Sequence, residues 1–297
     1  MSGAIRVATR GSALARRQTE EATARLGSHD PALLCTIVLV QAAGDLEPDT
    51  PPEAMAGDGW FSSALERSLL EGEADLAVHS AKDLPSRLAP GLVVAGYLAR
   101  ADPRDAVVTR DGSPWRDLPA GARVATGSPR RAAQLLALRP DLSIGSIRGN
   151  VDTRLRRLAE GDADALVVAM AGLCRLGLVI GALPLDPGRE CTPAPAQGAI
   201  ALQARAGSIA AAAAAAVDDP VTRRCVEAER TVLAALGGGC RLPLGVLAEP
   251  EGGGRVTLTA AFADPASAPG TPLRRLTRRG DLGSVGALAA DLAGALL

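Results

Sequence analysis

Aromatic residues are scarce in this chain: they make up 2% of 297 residues, whereas hydrophobic residues as a whole reach 47%. A core of this composition has to be built from Ala, Val, Leu and Ile side chains. Long apolar runs are missing as well, because the longest one, the alanine-rich segment 209–217, is too short to span a membrane. The N-terminal segment shows no signal-peptide pattern, so we expect a soluble protein of the cytoplasm.

Neither sign of charge is in excess, since the formal net charge is −1 and no block of like charges occurs. A basic face for nucleic acid is therefore not expected. Lysine is almost absent: Lys82 is the only lysine among 32 basic residues. A GC-rich genome would explain the preference for arginine, but not why the one remaining lysine stands beside Asp83.

Metal-binding sequence patterns are missing too. The chain has five cysteines and two histidines, and no two cysteines have the CxxC spacing, so we expect neither a zinc nor an iron–sulfur site. An odd number of cysteines in such a sequence favours reduced thiols. Cys35, Cys174 and Cys225 lie in apolar periodic segments, which predicts that they are core residues, and we assign no role to Cys191.

Strand-like and helix-like segments alternate along most of the chain, which indicates α/β domains. Among the predicted helices are 129–138, with a proline in its first turn, and 151–159, which has one apolar face. Two short proline-containing segments, 100–105 and 192–195, interrupt the alternation and are predicted to be crossings between the same two units. A chain that leaves a unit and returns to it forms two hinged lobes with a cleft between them.

These crossings predict three domains. The first is an α/β lobe made of residues 1–99 and 200–217, and the second is an α/β lobe made of residues 104–193. The third is a small α+β domain, residues 219–297, in which a helix ends at three glycines before Cys240.

Three strand-to-helix junctions, at residues 9–12, 126–131 and 148–150, are rich in Arg, Ser, Thr and Gly. In open α/β sheets ligands bind at the carboxyl ends of strands, where a helix N-terminus offers free N–H groups. Arginine adds a planar fork that bonds both oxygens of a carboxylate. One such junction alone fits an ordinary helix cap with surface arginines. Three of them predict a ligand with several carboxylates or phosphates.

Two other segments carry reactive groups. A predicted buried strand runs directly into Ser80, Lys82 and Asp83. An acid beside a lysine suits a proton donor or a stabiliser of a cation, or else a salt-bridged turn in which His79 is a satisfied core residue. Cys240 follows the glycines, so its thiol suits a nucleophile or an attachment point, although a cysteine packed in a turn fits the same pattern.

Together these segments resemble the porphobilinogen deaminase family, also called the hydroxymethylbilane synthase family. The resemblance implies two type-II periplasmic-binding-protein-like lobes and a small third domain that carries the cysteine loop. Besides the three junctions, the matching segments are DLAVHSAKDLP at 75–85, DPRDA at 102–106, TRL at 153–155, AGLCRLGL at 171–178, QGA at 197–199 and GGCRLP at 238–243, in the order of the family.

The resemblance implies a transferase of tetrapyrrole biosynthesis. Four molecules of porphobilinogen would be joined head to tail, each with loss of ammonia, on a dipyrromethane cofactor held by a thioether to Cys240. Water would then release the linear product, hydroxymethylbilane. Asp83 would be the catalytic residue, since a carboxylate close to the pyrrole nitrogens stabilises positive charge and moves protons. A monomer is implied, with no nucleic-acid or membrane partner.

Each pyrrole carries an acetate and a propionate, which accounts for the number of arginines in the family's motifs. The implied cofactor-binding residues, besides Cys240, are Ser80, Lys82, Thr126, Ser128, Arg130, Arg131, Arg148 and Gly198. The implied substrate-binding residues are Arg10, Ser12, Arg154, Arg175 and Gln197.

The chain departs from the family's pattern at two positions. Asp58 stands in the glycine-rich loop 57–61, where the family often has lysine, and Ala196 stands where it usually has glycine. The alanine is expected to stiffen the hinge.

Two other classes of protein remain open from the sequence. A non-catalytic two-lobe protein that binds anions would explain the arginines but not Cys240. A transferase with a cysteine nucleophile and no bound pyrrole would explain Cys240 but not the arginines.

Overall fold

The computed structural model describes residues 4–41, 63–178, 181–239, 242–264 and 271–297. They form two compact units. Unit 1 comprises Met1–Ala101 and Ala199–Arg223, and unit 2 comprises Asp102–Gly198 and Arg224–Leu297.

Unit 1 is a five-stranded mixed sheet. Its strands are β1 (Ile5–Arg10), β2 (Cys35–Val40), β3 (Leu76–Ser80), β4 (Leu92–Tyr97) and β10 (Ile200–Arg205), in the order β2-β1-β3-β10-β4. Strand β1 is parallel to β2 and β3, whereas β10 is antiparallel to β3 and β4. Helices α1 (Ala13–His29) and α6 (Ile209–Ala216) pack on one face, and α2 (Ser63–Leu70) packs on the other.

Unit 2 contains a second five-stranded sheet. Its strands are β5 (Asp105–Thr109), β6 (Arg123–Ala125), β7 (Ser143–Gly145), β8 (Ala165–Ala169) and β9 (Ala182–Pro184), in the order β7-β6-β8-β5-β9. Strand β6 is parallel to β7 and β8, and β5 is antiparallel to β8 and β9. The helices of this lobe are α3 (Pro129–Leu138), α4 (Val151–Ala159) and α5 (Met170–Leu176).

The two five-stranded sheets have the same connectivity. In each, the antiparallel strand, β10 or β5, is the first strand that the chain forms after it enters from the other unit. This is the topology of type-II periplasmic-binding-protein lobes, so the predicted fold class is confirmed. The exact domain boundaries 1–99 with 200–217, 104–193 and 219–297 remain a prediction.

The C-terminal part of unit 2 is the predicted small α+β domain. Strands β11 (Leu244–Pro250), β12 (Arg255–Phe262) and β13 (Arg274–Asp281) form an antiparallel sheet in that order. Helices α7 (Pro220–Ala235) and α8 (Val285–Leu296) share one hydrophobic core with it, built around Val232, Leu258 and Leu292.

The hydrophobic cores are almost wholly aliphatic, as the composition predicted. Tyr97 and Trp115 are the only aromatic side chains that are buried within the described ranges. Over the same ranges, no helix combines the length and the apolar character that crossing a membrane requires.

Candidate functional sites

The first candidate site lies at the carboxyl end of β3, in the middle of the unit 1 sheet. β3 ends at Ser80, and a 3₁₀ turn, Ala81–Asp83, follows directly. A pocket opens there, and it brings three of the predicted site residues together: Arg10, Ser80 and Asp83. The other lining residues are Ala15, Gln18, Leu65, Val78 and His79. Lys82 lies within the 3₁₀ turn and is partly buried.

Helix α1 supplies polar support to this pocket. Ser80 Oγ donates to the Gln18 side-chain oxygen at 3.0 Å, and Gln18 is buried. Ser12 is the N-cap of α1 and accepts a hydrogen bond from the Ala15 N–H at 3.2 Å. Capping occupies only an acceptor of the Ser12 hydroxyl, so its O–H remains able to donate to a ligand.

His79 forms part of the pocket wall and is 6% exposed. Burial lowers the pKa of His79 to about 4; a hydrogen bond with Gln203 opposes this shift, and the charge of Arg10 adds to it. The contact with Gln203 is nevertheless poorly aligned, because His79 Nε2 and Gln203 Oε1 are both buried without a well-formed hydrogen bond. The alternative in which His79 is a satisfied core residue does not hold for this nitrogen.

The second candidate site is in unit 2, at the start of α3. Ser128 caps this helix by accepting from the Arg131 N–H at 3.4 Å, and Thr126 Oγ1 accepts from the Ser128 N–H at 3.2 Å. The cap and Pro129 at the first helical position explain why the helix begins where the sequence predicted.

Asp105 holds the two arginines that follow. One oxygen of Asp105 accepts from Arg130 at 2.7 Å, and the other accepts from Arg131 at 2.7 Å and from the Gln197 amide at 2.9 Å. Burial alone would raise the pKa of Asp105, but the two guanidinium charges hold it well below its usual range. Arg130 and Arg131 are 4% and 7% exposed, and besides Asp105 they donate to the Thr192 and Val167 carbonyls. Their contact with a cofactor remains a prediction.

Arg148 and Arg154 bring two further guanidinium groups close to Arg131. Burial lowers the pKa of Arg154, and the charges of Arg131 and Arg148 lower it further. The Arg154 Nε–H donates to the Gly149 carbonyl at 2.8 Å. Gly149 has φ 99°, and a Cβ there would lie 2.7 Å from the Thr153 side chain, so this junction requires glycine. A cluster of partly buried guanidinium groups suits an acidic ligand that carries several carboxylates.

Residues 196–198 connect this arginine site to the C-terminal domain. Gln197 also donates to the Pro103 carbonyl at 2.8 Å, and the Gly198 carbonyl accepts from Arg175 at 3.1 Å. The Ala196 N–H donates to Glu229 on α7 at 2.6 Å, and the other oxygen of Glu229 accepts from the Ala248 N–H at 2.8 Å. Ala196 has φ 64°, and within the described part of the chain it is the one residue other than glycine with positive φ.

We expect Glu229→Gln to lower the free energy of unfolding by about 1–3 kcal/mol. Glu229 is fully buried, and an amide would turn an N–H toward one of two backbone N–H groups that now meet a carboxylate. Urea denaturation measures the loss. Glu227→Gln, at an exposed position of the same helix, is the control and should change stability by less than about 0.5 kcal/mol. Equal effects of the two substitutions would contradict this role of Glu229.

Cys240 lies outside the described residues, and so does the loop with Asp58. Up to that point the chain behaves as predicted: α7 ends at Ala235, and the glycines terminate it. The Gly238 N–H donates back to the Leu233 carbonyl at 2.9 Å, with Gly238 at φ 61°.

The prediction that three of the other cysteines are core residues is only partly right. Cys225 is buried as predicted, but Cys174 is exposed, and Cys35 is only partly buried. Cys191, to which no role was assigned, is fully buried and its thiol lies 3.4 Å from the Asp105 carboxylate. Burial and the charge of Asp105 raise the pKa of Cys191 to about 12, so it is a neutral part of the Asp105 network.

These features are typical of two-lobed α/β proteins that bind acidic ligands: two lobes of this topology, an acid at the end of a central strand, and clustered arginines. The family model "Porphobilinogen deaminase, dipyromethane cofactor binding domain" matches residues 5–213, and the model of the C-terminal domain matches residues 223–291. The chain belongs to the porphobilinogen deaminase family, and is thus an enzyme. The resemblance inferred from the motifs is confirmed.

Individual relatives agree with this assignment. The porphobilinogen deaminase of Acidothermus cellulolyticus is 48% identical over 82% of this chain and 74% of its own length. That of Roseiflexus castenholzii is 48% identical over 85% of this chain and 84% of its own length. Among solved structures, the methionine-binding protein MetQ is similar with a TM-score of 0.44 at 14% identity, covering 74% of this chain and 92% of MetQ. The family assignment rests on the sequence matches.

Proposed function

We propose that this enzyme is a hydroxymethylbilane synthase. It would join four porphobilinogen molecules with loss of ammonia and release the linear tetrapyrrole by hydrolysis. The observation that carries the proposal is the match of both family models along the chain, together with a pocket that groups Asp83 with Arg10 and Ser80. We propose further that it acts as a monomer in the cytoplasm, with porphobilinogen as its only partner.

In the proposed reaction Asp83 is the catalytic residue. The C–N bond of the aminomethyl group breaks, its electron pair leaves with ammonia, and the pyrrole nitrogen supplies the electrons of a new exocyclic double bond. The ring nitrogen becomes positive in this step. A carboxylate in a partly buried pocket stabilises that charge more strongly than water does, and it can take the proton that is lost later.

Arg10 has a complementary role in the same pocket. Its guanidinium would bind a carboxylate arm of the substrate, and the Ser80 and Ser12 hydroxyls would add hydrogen bonds. Arg175 and Gln197 in unit 2 would bind further carboxylates.

The proposed cofactor is a dipyrromethane bonded to Cys240, and when bound it supplies a nucleophilic pyrrole carbon to which substrate units are added. Arg148 and Arg154 fit its carboxylates, because their guanidinium groups lie close to each other and to Arg131 and so form a cluster of positive charge. Lys82, Thr126, Ser128, Arg130, Arg131 and Gly198 are the other proposed cofactor-binding residues.

We expect the intact mass of the purified enzyme to exceed the sequence mass by two condensed pyrrole units. Cys240→Ser should abolish the added mass and the dipyrromethane colour reaction with an acidic aldehyde reagent. Cys174→Ser, which removes an exposed thiol, is the control and should retain both. An active enzyme with the mass of the bare chain would refute the covalent cofactor.

A further inference from the structure

Neither Glu66, His79 nor Gln203 has a role in the proposed reaction, yet the three polar side chains lie in a row that ends at the Asp83 pocket. His79 and Gln203 are buried, and Glu66 is partly buried. His79 pairs with Ala201 across β3 and β10, and Gln203 pairs with Ala77. Alternate residues of a strand share a face, and so do paired residues of neighbouring strands. His79 and Gln203 therefore lie diagonally on one face of the sheet, which is the face that α2 covers.

Glu66, on α2, fixes the orientation of the Gln203 amide. The Gln203 amide nitrogen donates to the Glu66 carboxylate at 2.7 Å. A carboxylate only accepts, so the amide nitrogen must face Glu66 and the amide oxygen must face the other way. Gln203 is fully buried, and its oxygen still needs a donor.

The donor at hand is the His79 imidazole. His79 Nε2 is buried and lacks a well-formed bond, and Gln203 is the hydrogen-bonding neighbour of this ring. A small side-chain rotation therefore satisfies the Nε2–H and the Gln203 oxygen together. The imidazole then carries its proton on Nε2 and has an acceptor at Nδ1. Burial and the charge of Arg10 keep the ring neutral at physiological pH.

We propose that His79 is a substrate-contacting residue, whose Nδ1 accepts an N–H from the aminomethyl group of porphobilinogen, the leaving group. The inference deepens the proposed function and rests on it. In the pocket, Asp83 suits the pyrrole nitrogen and Arg10 suits a carboxylate arm. Asp83 and Arg10 leave the substrate amine without a binding partner. His79 is the neutral nitrogen acceptor among the residues that line the pocket.

The neutral state of His79 suits this task. An imidazolium would repel the substrate ammonium, whereas a neutral ring accepts its hydrogen bond. A ring of such low basicity does not remove the proton of an alkylammonium, whose pKa is about 10. The amine thus stays protonated and leaves as ammonia. Glu66 and Gln203 keep the His79 ring in the neutral Nε2–H tautomer, which accepts the hydrogen bond from the amine.

The charge and the tautomer of His79 can be tested by nitrogen-15 NMR of the imidazoles in the holoenzyme. The chain has two histidines, and the exposed His29 is assigned by His29→Gln. We expect His79 to remain neutral between pH 5.5 and 8, as the Nε2–H tautomer. Glu66→Gln should produce a mixture of tautomers, because the Gln203 amide can then turn. A His79 that is charged at neutral pH, or protonated on Nδ1, overturns the proposal.

The contact of His79 with the substrate can be tested by the rate at which the first substrate unit is added, measured by intact mass. His79→Phe keeps the ring shape and should slow this addition by about 10-fold or more, the effect of losing one hydrogen bond to a charged group. His79→Asn, whose amide oxygen replaces Nδ1 as acceptor, should restore most of the rate, and His29→Gln should not change it.

The two experiments distinguish failure of this inference from failure of the proposed function. A wild-type enzyme that carries no pyrrole mass and adds no unit refutes the proposed function. A wild-type enzyme that adds units as fast as His79→Phe refutes only the role of His79. The same conclusion follows if His79→Asn is as slow as His79→Phe while both retain the cofactor mass.

Discussion

Asp83→Asn should reduce turnover by about 10³-fold while folding and cofactor attachment remain intact. The amide has the shape of the carboxylate and keeps one acceptor, but it loses the negative charge that faces the developing pyrrole cation. The stability of the protein should change little, because Asp83 is partly exposed in the pocket wall, where an amide of the same size can be accommodated. The loss should therefore appear in the rate of each addition rather than in the amount of folded holoenzyme.

Steady-state turnover, intact mass and thermal unfolding of the same preparation separate these effects. Asp30→Asn, at an exposed carboxylate just after α1, is a suitable control and should keep normal turnover. Near-normal turnover of Asp83→Asn would remove Asp83 from the catalytic role. Loss of the cofactor mass in this variant would instead assign Asp83 to cofactor assembly.

The sequence predicted best the elements that have strong local signals. Helix α3 has a serine cap and a proline at its first position, and its predicted bounds, Pro129–Leu138, agree with the structure. Helix α4 has an apolar face and is found at the predicted Val151–Ala159. Helix α6 was missed, because the alanine-rich stretch has no polar face and its periodicity cannot be seen.

Strands whose identity depends on distant pairing were harder to predict. Strand β5 follows a proline-containing segment that was predicted only as a crossing. It becomes a strand by pairing with β8, which begins 60 residues further along the chain. Strand β11 follows the cysteine loop and forms by pairing with β12. The local sequence of β5 or β11 does not indicate that the segment pairs antiparallel with another strand.

The same distinction holds for the candidate sites. Arg10, Ser80 and Asp83 stand at the ends of predicted strands, and the family resemblance assigned them to one site. The structure places all three in one pocket. Asp105, Glu229 and Gln203 received no role, because the chemistry of each depends on partners far away in sequence. A sequence shows that a carboxylate is present, but not that folding buries it between two guanidinium groups.

Asp105→Asn should be the most destabilising of the substitutions considered, with a loss of about 3–5 kcal/mol in the free energy of unfolding. The amide keeps an oxygen for Arg131 or Gln197, but it leaves two buried guanidinium charges without an acid. A loss of this size is a large part of the total stability of an ordinary domain. Denaturation of the variant and of the wild type measures it.

Asp141→Asn is the matched control, since Asp141 pairs with Arg139 near the surface, and its loss should lower the stability far less than Asp105→Asn does. Removing the two buried guanidinium charges should reduce the loss of stability. A variant with Asp105→Asn, Arg130→Met and Arg131→Met should be more stable than Asp105→Asn alone. If the triple variant is the less stable one, the harm comes from lost packing and not from uncompensated charge.

The pH dependence gives an independent check on the cause. A carboxyl whose pKa is lowered by folding stabilises the folded state above its unfolded pKa, about 3.9, and this contribution is lost as pH falls toward the folded value. The folded pKa of Asp105 lies well below that of the unfolded chain. The stability difference between wild type and Asp105→Asn should therefore stay constant from pH 7 to 5 and narrow below about pH 4. A difference that is already narrowing near pH 6 would mean that Asp105 is not held ionised by Arg130 and Arg131.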